Sequence, residues 1–212
     1  MTSAAATLAP SRPRRRLVRR LLKPGNLLPA FVWLFLVLNQ AVNSGFPPSF
    51  ATAGLVIINS VALTLFIVRR DASRVAGKVD GVIAIAGTFS ASLLHDAGQL
   101  KDAQLLPTLI QVAGLTGWGL SLLALGRSFG VVPADRGLVR HGPYRFVRHP
   151  VYACEALFFI GYATAVPTPR TFVVLAVWAA LQVVRIVREE RIIEGYEPYR
   201  RAVRWRVLPF VW

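Results

Sequence analysis

Long apolar blocks separated by short charged ones divide this chain. Six blocks can be read: Leu27–Val42, Phe50–Val68, Val79–Leu94, Leu105–Leu125, Val151–Val166 and Thr171–Val187. Crossing a bilayer as a helix takes ~20 apolar residues at ~1.5 Å each. Several blocks fall slightly short, and the fifth is the shortest. The fifth and sixth are joined through Pro167 and Pro169, so they either cross separately or form a hairpin that dips into the membrane. The expected fold is all-α: a polytopic membrane helical bundle of about six apolar helices, or four plus a re-entrant hairpin.

Charge sharpens this picture. The chain is 54% hydrophobic with mean hydropathy +0.50, yet it carries a formal net charge of +15. Those values conflict in a soluble domain and agree in a membrane protein whose charge is confined to loops. Read as six crossings, the loops place 23 Lys and Arg on one side and 2 on the other. By the positive-inside rule both termini are expected to be cytoplasmic. A basic rim of this kind attracts anionic lipid headgroups at ~1 kcal/mol per residue. Nucleic acid is not an expected partner, because no basic–aromatic recognition module is visible.

The domain organisation follows. Residues 1–26 are Arg-rich and free of acid, and are expected to form a disordered cytoplasmic tail leading into an uncleaved signal-anchor. Residues 27–126 form a four-helix scaffold. There Gly114, Gly117 and Gly119 permit close helix approach, and His95–Asp96 mark a solvated helix end. Residues 127–212 carry the chemistry. Cys154 lies in an apolar helix and reads as a packed small residue. With three histidines and one cysteine in the chain, no metal site is expected.

The chemistry concentrates in Gly137–Tyr152, GLVRHGPYRFVRHPVY, which holds Arg140, His141, Arg145, Arg148 and His149 directly before an apolar block. Ordered loops as long as Arg127–His149 are usually functional. Pro150 suits the first position of the fifth helix. His149 then sits at the cap, beside free backbone N–H groups that favour a carboxylate or phosphate. The sixth block ends in QVVRIVREERIIEGYEPY. On a helix Gln182, Arg185 and Glu189 fall at i, i+3 and i+7 and form one polar stripe, with Glu190 about 100° round. Ionisable groups at this depth face the protein interior or a wet cavity. Glu155, one turn into the fifth helix, faces either the site or a helix-end arginine. The tail interleaves Tyr196, Tyr199, Trp205, Phe210 and Trp212 with Arg200, Arg201, Arg204 and Arg206. It reads as an amphipathic interfacial segment or as a lid over the site.

At these residues the chain resembles the isoprenylcysteine carboxyl methyltransferase and phospholipid methyltransferase group. The resemblance runs through Leu138–Val139, Gly142, Tyr144, Arg148–His149–Pro150 and Tyr152, then Glu189–Glu190, then Tyr196, Tyr199 and Pro209. It covers roughly the last 85 residues. R-H-P-x-Y combined with E-E is fairly specific; R-H-P alone is weak. The resemblance implies S-adenosylmethionine bound in the membrane-embedded C-terminal half without a Rossmann fold, in keeping with the lack of a G-x-G-x-x-G fingerprint. It implies a cofactor pocket lined by Val139, His141, Gly142, Tyr144, Arg148, His149, Pro150 and Tyr152, with Glu190 holding cofactor polar groups. Arg185 and Glu189 are the candidates for the reacting acceptor, a lipophilic small molecule or prenylated chain delivered from membrane lipid. Arg185 is the expected cation for an acceptor carboxylate. The ending VRWRVLPFVW also resembles the C-terminus of membrane sterol reductases, so an NADPH-dependent reductase is the alternative. A non-catalytic protein binding anionic lipid or a partner is the third reading.

Overall fold

The computed structural model describes residues 24–43, 50–94 and 104–212. Nearly all of the basic tail read at 1–26, and the His95–Asp96 pair, lie outside these residues. Each of the six apolar blocks contains a helix. These are α1 (Pro24–Asn43), α2 (Phe50–Val68), α3 (Lys78–Phe89), α4 (Leu105–Leu125), α5 (Pro150–Ala165) and α6 (Pro169–Ile192), followed by a short α7 (Tyr196–Ala202). A single 3-10 stretch over Ser90–Leu93 extends α3. Among the described residues, strand structure is limited to β1 (Arg74–Val75) and β2 (Ala134–Asp135), which pair antiparallel with Arg74 opposite Asp135. The expected all-α membrane bundle is therefore the fold observed.

Among the described residues, three helical stretches are long and apolar enough to cross a membrane: Phe50–Val68, Leu105–Ser128 and Pro169–Ile192. The sixth block is thus a full-length helix of 24 residues. The fifth has 16 residues, short of the ~20 a crossing takes. α5 packs chiefly on α4 and only slightly on α6, so the two do not form a closely packed hairpin. Elsewhere α1 packs on α2, α2 on α4, and α3 on α6. Large apolar side chains point outward all round the bundle, including Leu28, Phe31 and Phe35 of α1, Leu105 and Leu106 of α4, and Phe172 and Val173 of α6. Lipid is the solvent that such a surface fits.

Lipid tails are as apolar as leucine, so burial of apolar area contributes little here and close packing must hold the helices together. The α4–α5 seam shows how. A Cβ added at Gly114 would lie 2.5 Å from the backbone N of Phe158, and one at Gly161 would lie 2.9 Å from the backbone N of Gln111. The two backbones touch at both places, as the glycines of the fourth block suggested. Gly117 meets Cys154 Sγ, which makes that cysteine a packing residue of the same seam. Farther out, an aromatic stack runs Trp33–Phe66–Phe129, with centroids 5.0 Å apart at each step. It ties α1 and α2 to the loop after α4.

At α6 the cap is local. Thr168 Oγ1 accepts from the Thr171 N–H at 3.1 Å, and Pro169 takes the first helical position.

Gly114→Val should force α4 and α5 apart. Overpacking of this kind costs about 1–3 kcal/mol, read as a lowered thermal midpoint in detergent. Gly119→Ala, where the nearest atom is the flexible end of Ile58 at 3.4 Å, should leave the midpoint nearly unchanged. Equal midpoints for wild type and Gly114→Val would show that the seam is not tight.

Candidate functional site

The motif loop and the C-terminal segment build the site together. His149 caps α5 and Pro150 opens it. The backbone N–H groups of Arg148 and His149 donate to the carbonyls of Trp205 and Arg206, each at 2.8 Å. His149 sits at the cap as expected, and its own N–H is used in this pairing. The chain after α7 returns and lies along the motif, where these backbone groups satisfy one another. Tyr199 Oη donates to the Tyr144 carbonyl at 2.7 Å and pins α7 to the same loop.

The adjacent glutamates of α6 point to different neighbours. The Glu190 carboxylate, 9% exposed, is ion-paired with Arg148 Nη1 at 2.9 Å and surrounded by His149 Nε2 at 3.2 Å, Tyr196 Oη at 3.1 Å, and Arg206 in bidentate fashion at 3.1 to 3.2 Å. Glu189 instead accepts from Tyr152 Oη at 2.6 Å and lies 3.5 Å from Arg185 Nε. His149 stands between them, its Nδ1 lying 3.9 Å from Glu189. A separation of about 100° on one helix thus sends one carboxylate into a saturated clamp and the other toward a cavity.

Arg185 is buried and heavily engaged. Nη1 donates to Thr88 Oγ1 at 3.1 Å and Nη2 to the Val131 carbonyl at 2.7 Å, while the guanidinium lies over the Tyr152 ring at 5.2 Å. The polar stripe continues inward: Gln182 Oε1 lies 3.5 Å from Arg185, and Gln182 Nε2 donates to the buried Glu155 at 3.3 Å. Glu155 therefore faces the stripe of α6. Arg185, the candidate cation for an acceptor carboxylate, is engaged within the protein. Its terminal nitrogens are committed to protein acceptors, and its freest edge is turned to Glu189.

A cavity of about 130 Å³ opens between the end of α4, the motif loop, the start of α5, and α6 and α7. Val139, Tyr144, Arg148, His149, Tyr152, Arg185 and Glu189 line it, so seven of the candidate residues converge. Four do not reach it. His141 is exposed. Gly142 serves the backbone, with φ +59 at the start of a 3-10 turn. Pro150 is buried as the first residue of α5. Glu190 borders a separate, more open hollow beyond Tyr196.

Tyr196 and Tyr199, read from sequence as interfacial aromatics, are buried at 7% and 3% exposure and line the cavity. Burial, with Glu189 nearby, raises the Tyr144 hydroxyl above its ordinary pKa. Burial and Glu190 do the same at Tyr196. Burial takes Tyr199 to about 12 against the opposing pull of Arg148 and Arg140. All three stay protonated donors at neutral pH.

Three residues that sequence reasoning passed over shape the site. Arg206 completes the Glu190 clamp; its only signal was its place among tail arginines. Arg136 lines the cavity. Asp135 accepts from the backbone N–H of Gly137 and of Glu194, each at 3.0 Å, and so joins β2 to the end of α6. Burial pushes its carboxyl up, but those N–H donors outweigh that and hold it below the ordinary carboxylate value.

Comparison with known proteins places this geometry. Residues 105–196 match the model of the phospholipid methyltransferase family. The family resemblance carried by the motif is borne out over that stretch. The chain is also 30% identical over 115 residues to the cobalt-zinc-cadmium resistance protein CzcN of Cupriavidus metallidurans, an alignment covering 52% of each. It thus spans about half the length of that curated relative.

Removing Glu190 strands Arg148 and Arg206 together. Glu190→Ala should cost about 3–5 kcal/mol, the usual loss when one partner of a buried pair is removed. The added substitution Arg206→Ala should then cost less than it does in wild type. Unfolding in detergent across the four variants reads this, and simple additivity would rule out the clamp.

Proposed function

We propose that this chain is an S-adenosylmethionine-dependent integral membrane methyltransferase acting on a lipophilic acceptor, with the cavity at the end of α6 as its cofactor site. The observation that carries the reading is the convergence of R-H-P-x-Y and the first glutamate of E-E on one cavity, at the charged end of a helix long enough to cross the membrane.

The donor set fits the cofactor. Four tyrosine rings and the Glu189 carboxylate offer a cation-friendly lining for a sulfonium. Arg136 and Arg148 each turn a buried, unpartnered Nε–H in the lining, which suits a carboxylate. When bound, the cofactor supplies an already activated methyl group.

The protein's part is then positioning and exclusion of water. Tyr152, held by Glu189, and His149, held by Glu190, form one wall. Arg185 positions Glu189 and the Tyr152 ring, a role that its engaged nitrogens favour over direct contact with an acceptor anion. An acceptor delivered by membrane lipid meets the cavity from the bilayer side. In this arrangement both termini lie in the cytoplasm, as the charge asymmetry of the loops suggests.

The test is ligand binding to the detergent-solubilised chain. Adenosylhomocysteine should bind and NADPH should not; the reverse result would favour the reductase reading. His149→Ala should weaken adenosylhomocysteine at least tenfold, about 1.4 kcal/mol, with the fold retained. An unchanged affinity by calorimetry would take His149 out of the site.

A further inference from the structure

The cavity holds more positive charge than its own carboxylates answer. Arg148 is paired with Glu190 at 2.9 Å and Arg185 with Glu189 at 3.5 Å. Arg136, the third arginine of the lining, has no carboxylate partner among the described residues. Its Nε–H is buried without a hydrogen-bond partner. Leaving a charged donor unmatched in this way costs free energy unless a ligand completes it.

The surroundings keep Arg136 unmatched. The adjacent carboxylate, Asp135, is committed to the N–H groups of Gly137 and Glu194. Gly130 adjoins the guanidinium: a Cβ there would stand 2.6 Å from Nη1 and would shift the group from its present place. Burial, together with the nearby Arg69, lowers the Arg136 pKa to about 10, which still leaves it charged at neutral pH. A second buried and unpartnered guanidinium N–H, Arg148 Nε, belongs to the same lining.

We infer that Arg136, with the free edge of Arg148, is the anion receptor of this cavity and takes a carboxylate or phosphate oxygen of the bound ligand. The inference deepens the methyltransferase reading, under which two sources present such a group. One is the amino-acid carboxylate of the cofactor; the other is the phosphate of a lipid acceptor. A planar guanidinium suits either one through paired N–H donors.

Calorimetry on the full chain in detergent, wild type against Arg136→Gln, separates the sources. The probes are adenosylhomocysteine, methylthioadenosine (which lacks the carboxylate) and a short-chain phosphatidic acid. If Arg136 holds the cofactor carboxylate, adenosylhomocysteine should weaken tenfold or more in the variant while methylthioadenosine is unchanged. If it holds a lipid phosphate, only phosphatidic acid should weaken, by a similar factor. Arg136→Lys should recover part of the loss in either case. Binding of all three probes that is unaltered by Arg136→Gln would overturn the inference, as would a wild type that binds none of them. A wild type that binds phosphatidic acid through Arg136 but ignores adenosylhomocysteine would sink the methyltransferase reading and uphold the anion receptor.

Discussion

Everything at the working end of this bundle hangs on the Glu190 carboxylate. It stands near the end of the longest helix, and its partners come from three other parts of the chain: Arg148 and His149 from the motif loop, Tyr196 from α7, and Arg206 from the segment beyond it. A buried carboxylate is stable only when cations and donors surround it. That requirement works in reverse as a constraint on the fold: the C-terminal segment must return to the motif, since Arg206 is needed there. The return then orders the N–H groups of Arg148 and His149 against the Trp205 and Arg206 carbonyls. Tyr196 and Tyr199, drawn in with it, become cavity walls rather than surface aromatics.

A second polar chain runs inward from the same turn of α6. Glu189, Arg185, Gln182 and Glu155 follow one another through contacts of 3.3 to 3.5 Å. Thr88 of α3 and the Val131 carbonyl brace it from the sides. Charges in an apolar bundle are tolerated only when paired and facing inward, and here each has a partner on another element. The N-terminal helices are therefore more than an inert scaffold. Asp80 and Thr88 of α3 hold Arg188 and Arg185 of α6, at 2.6 and 3.1 Å. Any displacement of α3 is felt where the two glutamates point.

How much of this could be read in advance depends on range. Apolar blocks announce helices because lipid demands long uncharged segments, so all six were legible, and Gly114 and Gly117, which bring α4 against α5, stood inside the fourth. The polar stripe of α6 was legible from its 3.6-residue period. The motif was legible as chemistry because R-H-P-x-Y and E-E crowd polar groups beside apolar helices. What stayed hidden were contacts made across loops. Nothing local distinguishes Arg206 from Arg204, or Arg136 from Arg127; only the path of the chain decides which of them meets a carboxylate and which meets a cavity. The pairing of the Arg148 and His149 N–H groups was hidden for the same reason, since their partners arrive from more than fifty residues away.

The pairing of adjacent glutamates with opposite tasks has a simple physical basis. Consecutive residues on a helix point about 100° apart. A helix that must both anchor a returning tail and present a carboxylate to a cavity can do so with two neighbouring acids, one per direction. His149 lies within reach of both, at 3.2 Å from Glu190 and 3.9 Å from Glu189. The imidazole thus joins the structural clamp to the cavity wall. A change in what the cavity holds alters the electrostatic environment of a ring that the clamp also uses.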